Sequence, residues 1–247
     1  MSLEKPNEPV YYAPEPDVSH LVTEDEEPVD NFFQDKQADL LTEALRVSWD
    51  EGRPFLSAAD VGIFYSLTEP PIVPDVLLST GVEIPPDFHE KNRRCYYTWL
   101  FGKPPEVAIE IVSNGEGKED TEKLERYTKV KVPYYVIFDP AGFLSRLPLR
   151  IFQLSGASYV EKVDRNFPEV GLGLTVWRGE FDGLEADWLR WVDRSGELLA
   201  MGHEQTQRVQ REAERADREA ERAKQEASRR EALEARLREL GVDPETV

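Results

Sequence analysis

The sequence of 247 residues contains one cysteine, Cys95, so no disulfide can close within the chain and thiolates are too few for a metal cluster. Its three histidines, His20, His89 and His203, are scattered without metal-ligand spacing. No apolar run approaches the roughly 18 residues that a membrane span requires. The acidic, Pro-rich start (EKPNEPVYYAPEPD) does not read as a basic-then-apolar secretion signal, and a reducing, cytoplasmic setting is expected. No nucleophile elbow, P-loop or dinucleotide-binding glycine pattern is present. Cations are also short: 30 Lys and Arg against 49 Asp and Glu give a formal net charge of −19. Proteins that grip phosphates usually present a basic patch, so DNA is possible as a partner but disfavoured by charge. A local basic groove is still compatible with that total, because charges are screened beyond about 8 Å at physiological salt. Lys91, Arg93, Arg94, Lys103, Lys118 and Lys123 are its candidates.

What the sequence does contain is concentrated in residues 105–140, PEVAIEIVSNGEGKEDTEKLERYTKVKVPYYVIFDP. Val107, Ala108, Ile109, Ile111 and Val112 form a nearly continuous apolar run, the pattern of a strand covered on both faces. Glu110 interrupts it. A carboxylate inside a buried strand is costly unless a cation, hydrogen bonds or a raised pKa compensates it. Past a loop with Asn114, Gly115 and Gly117, the acidic Glu119, Asp120 and Glu122 are expected to open a helix, where the dipole favours them. Leu124, Tyr127 and Val130 share one helical face with Lys123 beside it, and residues 134–138 form a second apolar strand that ends at Asp139, a turn-former before Pro140. So compact a strand-helix-strand unit predicts a right-handed parallel crossover.

Upstream, residues 72–79 (IVPDVLLS) read as another apolar strand, interrupted by Asp75. Two carboxylates roughly 4 Å apart repel by about 4 kcal/mol at an effective dielectric near 20. If Asp75 and Glu110 converge, a divalent cation or a shared proton is required, and hard oxygen ligands favour Mg²⁺ or Mn²⁺.

Residues 1–30 form an irregular acidic lead, residues 31–203 the globular part and residues 204–247 a charged tail. Residues 31–49 have helical spacing, with Asp30 or Asn31 to cap, Gly52 to stop, and an apolar face of Phe33, Leu40, Leu41, Ala44, Leu45 and Val47 carrying one polar entry, Gln37. Residues 53–68 suggest a hairpin about Ala58-Ala59-Asp60. Residues 80–102 are a functional loop or hide a helix; within them Tyr96, Tyr97 and Trp99 fit core packing better than base stacking. Further strands are expected at 149–154, 159–163 and 172–177, then a short amphipathic stretch at 186–192, together extending the sheet and covering its edge. In the tail, Val209, Ala213, Ala216, Ala220, Ala223 and Ala227 recur with 4-3-4-3-4 spacing, after which the phase is lost at Arg230. The tail is either one strand of a weak coiled coil, making the protein a homo-oligomer, or a single helix held by Glu–Arg pairs and stopped by Gly241 and Pro244.

Four segments in this order, PDVLLSTGVE (74–83), YYTWLFGKPPEVAIEIVSN (96–114), EKLERY with VPYYVIFDP (122–140) and GLGLTVWRGEFDGLEADWLRW (171–191), resemble the Uma-two family of restriction-endonuclease-like proteins in the PD-(D/E)XK nuclease superfamily. The closing LRELGVDPE is similar too, so the resemblance runs from about residue 30 to the C-terminus. It implies an α/β core with a mixed central sheet flanked by helices: a helix, a three-stranded antiparallel meander, a crossover helix and a further strand. Here a long charged C-terminal helix is added. It also implies a metal-dependent endonuclease acting on DNA, with Asp75 and Glu110 as ligands of Mg²⁺ or Mn²⁺ and the carbonyl of Ile111 completing the shell. The superfamily's lysine usually lies two residues after the second acid, where this chain has Val112; Lys123 on the next helix takes its place. For the extra acid or amide of the first helix, Gln37 and Glu43 are candidates. Lys131 stands where the family has a helix-ending glycine, and since Lys in the left-handed region costs about 1 kcal/mol, a different helix end is expected. The alternative is a catalytically silent scaffold whose tail mediates self-association or recruits a partner. The acidic charge and the missing Glu-x-Lys favour that reading.

Overall fold

The structure, a computed structural model, describes residues 31–50, 52–90, 93–114 and 118–239, with side chains not described at 203, 208 and 230–239. The acidic lead, Gly115, Gly117, Lys91 and the tail terminators Gly241 and Pro244 lie outside the described residues.

Helix α1 (Phe32–Ser48) starts where Asn31 accepts hydrogen bonds from the N–H groups of Phe33 and Gln34 while the Gln34 side chain accepts from the Asn31 N–H, a complete capping box. The helix stops at Trp49, before Gly52, and Val47 points outward rather than to the core. Strand β1 (Phe55–Ala59) and the two-residue β2 (Ile63–Phe64) do not form the expected hairpin. β1 pairs antiparallel with β3 (Val76–Thr80), whereas β2 pairs in parallel with β4 (Tyr96–Tyr97) as a separate small sheet. Asp75 therefore sits immediately before a strand rather than inside one. After Thr80, which ends β3, the described residues of the long connection to residue 102 contain β4 and one turn of helix, α2 (Thr98–Phe101).

Next come β5 (Val107–Ile111), a π-helical turn (Glu119–Lys123) running into α3 (Leu124–Val130), and β6 (Tyr134–Phe138). β5 and β6 pair in parallel, as a crossover requires. Asp139 closes β6 by accepting from the N–H groups of Phe143, Leu144 and Ser145. Antiparallel β7 (Leu149–Ser155) and β8 (Ser158–Lys162) complete a mixed six-stranded sheet in the order β1-β3-β5-β6-β7-β8. The remaining strands do not extend it. β9 (Asn166–Phe167), β10 (Leu172–Phe181) and β11 (Leu184–Val192) form a second sheet, in which β10 and β11 are a long hairpin joined by Asp182 and Gly183, both at positive φ. The stretch expected to be amphipathic is thus the second arm of that hairpin.

Alternation divides β5 between two cores. Ile109 and Ile111 pack with Leu41, Leu45, Trp188 and Trp191 on the α1 side, whereas Ala108 packs with Tyr127, Tyr135 and Ile137 on the α3 side. Gln37, the polar entry on the α1 face, is fully buried. Its amide donates to the carbonyl of Leu189 (2.9 Å) and accepts from the Leu189 N–H (2.8 Å), pairing with β11 as another backbone would. Helix α4 (Gly202–Glu239) spans about 57 Å at 1.5 Å per residue. Its first turn is tied to the core through Glu204, which accepts from the buried Arg190 guanidinium (2.7 and 3.0 Å), while its alanine stripe is exposed. No helix among the described residues is long and apolar enough to cross a membrane.

Helix α3 ends in the left-handed region at Lys131 (φ 65°), contrary to the expectation that lysine forbids it. The N–H groups of Lys131 and Val132 both reach the Tyr127 carbonyl, at 3.0 and 3.3 Å, and satisfying that helix end outweighs the local strain. Lys131→Gly should therefore stabilise the fold by about 1 kcal/mol in urea unfolding, and an unchanged or lower midpoint would refute the strain.

Candidate active site

The register of the sheet creates the site. Val76 pairs with Ile109 across the antiparallel β3–β5 ladder, so the next pair outward is Asp75 with Glu110. Leu77 packs on the α3 side of the sheet, and so does Ala108, two residues from Glu110; by alternation both carboxylates face α3. Asp75 Oδ2 accepts from the backbone N–H of Ile111 (2.5 Å), which holds that carboxylate against the end of β5.

Glu110 is 1 % exposed. Its compensation comes from the π-helical turn and α3: Lys123 Nζ donates to Oε2 (2.9 Å) and the Tyr127 hydroxyl to Oε1 (2.6 Å). Lys123 also reaches Glu119 Oε1 (3.3 Å). Glu119 opens the helical segment, as expected, but not as a surface dipole partner. Instead the π-helical turn brings it inward, with its backbone carbonyl accepting from Tyr135 (2.8 Å) and its Oε2 buried without a partner. Of the first-helix candidates, Gln37 pairs with Leu189 and Glu43 accepts from the Gly202 N–H. The first-helix amide that reaches the end of β5 is Gln34, whose Nε2 donates to the Ile111 carbonyl (3.2 Å).

The titration behaviour follows from this crowding. Burial pushes the Asp75 carboxyl well above its ordinary range, and the neighbouring Glu110 charge adds to the shift. Burial also raises Glu110, although Lys123 and Tyr127 pull it back. For Lys123, burial works against the charged form, but Glu110 and Glu119 outweigh it and the ammonium is held more firmly than usual. Lys123 is thus a fixed positive charge and a poor proton acceptor.

The donor set fits a hard divalent cation: two carboxylates that repel one another, with the Ile111 carbonyl at the same strand end. Among the described residues no group of three or more His, Cys, Asp or Glu side chains is arranged to hold a metal ion.

Of the six candidate groove cations, Arg93 pairs with Asp87, Lys103 with Glu106, Lys118 with Glu122 and Lys123 with Glu110 and Glu119. Lys91 lies outside the described residues, and among those described no carboxylate pairs with the exposed Arg94 guanidinium. The aromatic cluster divides. Tyr96 is core, with its hydroxyl bonded to Ser79 (2.9 Å) and Lys103 (3.2 Å), whereas Tyr97 is only half-buried and Trp99 is 52 % exposed, against the expectation of packing.

A family model, Uma2, described as "Putative restriction endonuclease", matches residues 11–176, about two thirds of the chain. The match begins before residue 30 and stops short of the β11 arm and the tail, so it is shorter at the C-terminus than the sequence motifs suggest. A crystal structure of a "putative nuclease belonging to DUF820" from Anabaena variabilis ATCC 29413 is similar at 14 % identity and a TM-score of 0.38, covering 56 % of this chain and 71 % of that one. No curated protein matches the chain.

Since the folded pKa of Asp75 lies above its unfolded value, the unfolded chain ionises first as pH rises. The group costs no stability below its unfolded pKa, and the cost grows until the folded pKa is passed. Asp75→Asn, whose amide oxygen still accepts from Ile111, should therefore raise stability at neutral pH, leave it unchanged at strongly acidic pH and flatten the pH dependence of urea unfolding. A variant less stable at neutral pH would refute the strained acid. Lys123→Met should cost about 3 kcal/mol in the same assay, because it strands a buried carboxylate.

Proposed function

The chain belongs to the Uma2 family, and from that premise we propose that it is a metal-dependent endonuclease hydrolysing phosphodiester bonds of DNA. One observation carries the reading: continuing the sheet register puts Asp75 opposite Glu110 on the sheet face toward α3, where Lys123 of the preceding π-helical turn reaches Glu110. In this proposal Asp75, Glu110 and the Ile111 carbonyl hold Mg²⁺ or Mn²⁺. When bound, the cation supplies charge stabilisation at the phosphate and lowers the pKa of a coordinated water.

Hydrolysis joins a water oxygen to phosphorus and breaks the bond to one sugar oxygen, so negative charge grows on the phosphoryl oxygens. Lys123 supplies positive charge there rather than acting as the base, since its acidic neighbours keep it protonated. Tyr127 fixes the orientation of the Glu110 carboxylate, and Gln34 fixes the Ile111 carbonyl. Both are positioning residues.

A specific observation also favours the silent-scaffold reading. Oxygens of both acids already accept internal donors, Ile111 N–H for Asp75 and Tyr127 and Lys123 for Glu110. Each carboxylate oxygen carries a second lone pair, so a cation is compatible with those bonds.

The test joins binding to turnover. Mn²⁺ at about 100 times its Kd should raise wild-type stability by about 2.7 kcal/mol, and Asp75→Asn should abolish that gain. Asp75→Asn and Glu110→Gln should each lower Mn²⁺-dependent DNA cleavage by more than about 100-fold, and Lys123→Ala by a similar factor. Cleavage unchanged in both acid variants would sink the mechanism, while wild-type protein that binds no Mn²⁺ would establish the scaffold.

A further inference from the structure

β4 is only two residues long, and the alternation that sends Tyr96 into the core sends Tyr97 to the other side. There its ring stacks on Phe64 of the paired β2 at 5.0 Å, with planes 29° apart, and meets Trp99 at 5.3 Å and 46°. The three rings form a ladder ending in a half-exposed indole. Arg94 precedes the ladder, exposed and unpaired by any carboxylate among the described residues. In a chain of net charge −19, where every other described candidate of the groove is neutralised, a bare guanidinium beside stacked rings stands apart.

The ladder lies beside the segment that Arg126 of α3 holds. Phe64 and Pro71 flank Gly62, each about one van der Waals contact from where its Cβ would be (3.5 and 3.6 Å). The Pro71 carbonyl accepts from Arg126 (2.8 Å), a guanidinium that bonds to backbone carbonyls and forms no ion pair among the described residues. Arg126 lies on α3 one turn beyond Lys123 and next to Tyr127, which holds Glu110. Rings and two arginines that pair with no carboxylate among the described residues thus run from the exposed indole to α3, the helix whose Tyr127 holds Glu110.

We propose that this ladder is a binding site for the unpaired bases of single-stranded DNA, with Trp99 and Tyr97 stacking on bases and Arg94 and Arg126 meeting the backbone phosphates. A half-exposed indole backed by half-buried rings beside a few cations suits unstacked bases, whose faces a duplex hides. The inference rests on the nuclease reading for its biological sense and deepens it, narrowing the substrate to a strand with unpaired nucleotides near the cut. Only two cations serve the ladder, so affinity comes mostly from stacking and the salt dependence is shallow, with log K falling with a slope of about −1.4 against log salt.

The test uses the full chain in EDTA with fluorescein-labelled oligo(dT) of about 12 nucleotides, within the ~4–16 that such surfaces cover, read by fluorescence anisotropy. Trp99→Ala should weaken binding by about 5-fold or more, Trp99→Phe should lose less, and Arg94→Ala should reduce the salt slope by about 0.7. Trp99 is exposed enough for its variants to keep the wild-type unfolding midpoint. Absence of oligo(dT) binding, Trp99→Ala binding like wild type, a duplex bound as tightly, or oligo(U) bound more tightly would each overturn the assignment. So would a wild-type dimer in light scattering that Trp99→Ala dissolves, since the patch would then belong to a second copy. EDTA removes the chemistry, which separates the two readings: Trp99-dependent binding without cleavage in Mn²⁺ leaves the ladder and sinks the nuclease. Cleavage of single-stranded DNA untouched by Trp99→Ala does the reverse.

Discussion

A carboxylate placed in the middle of a fully covered strand governs this molecule. Glu110 lies between Ile109 and Ile111 where a sheet normally admits only apolar side chains, and water cannot reach it. The chain meets the cost from one direction. A π-helical turn at Glu119–Lys123 swings Lys123 toward the strand, and Tyr127, one turn further, completes the coordination of the carboxylate oxygens. Regular helix at that point would set Lys123 at a different angle, and π-helical turns recur where a side chain must be re-aimed for function. The helix that covers the sheet is therefore shaped by the acid it neutralises.

Charge is left over in that arrangement. Lys123 is shared between Glu110 and Glu119, and Asp75 adds a further carboxylate across the ladder, so three acids face one ammonium and balance it only when two of them hold protons. That crowding carries a stability cost, seen in the raised Asp75 carboxyl.

Much of this was legible in the sequence because it is written in short-range pattern. An acid interrupting VAIEI, a lysine on the following helix and an apolar strand ending at Asp139-Pro140 lie within 36 residues, and the crossover they imply is what forms. Asn31 announced its cap. What escaped notice depends on side chains serving in two places or on distant pairing. Gln34 is the partner of a capping box, which accounts for it locally and hides that its amide nitrogen reaches β5. Glu119 has the signature of a helix-dipole residue, and only the π-helical turn sends it inward. β2 is too short to announce its partner, 33 residues away in β4, and its local pattern suits half of a hairpin with β1 equally well. The β10–β11 hairpin did leave a signal, the Asp182-Gly183 pair between two alternating runs, but the polar RGE before it broke the strand pattern early.

Helix α1 grips both sheets through neighbouring amides. Gln34 holds the Ile111 carbonyl at the acid pair, and Gln37, one turn along, is locked to both backbone groups of Leu189 in the hairpin. Three residues of helix rise about 4.5 Å and have almost no give. The two sheets are splinted by a short stiff rod, so a force that levers the β10–β11 hairpin away arrives undamped at the strand end where the acids meet.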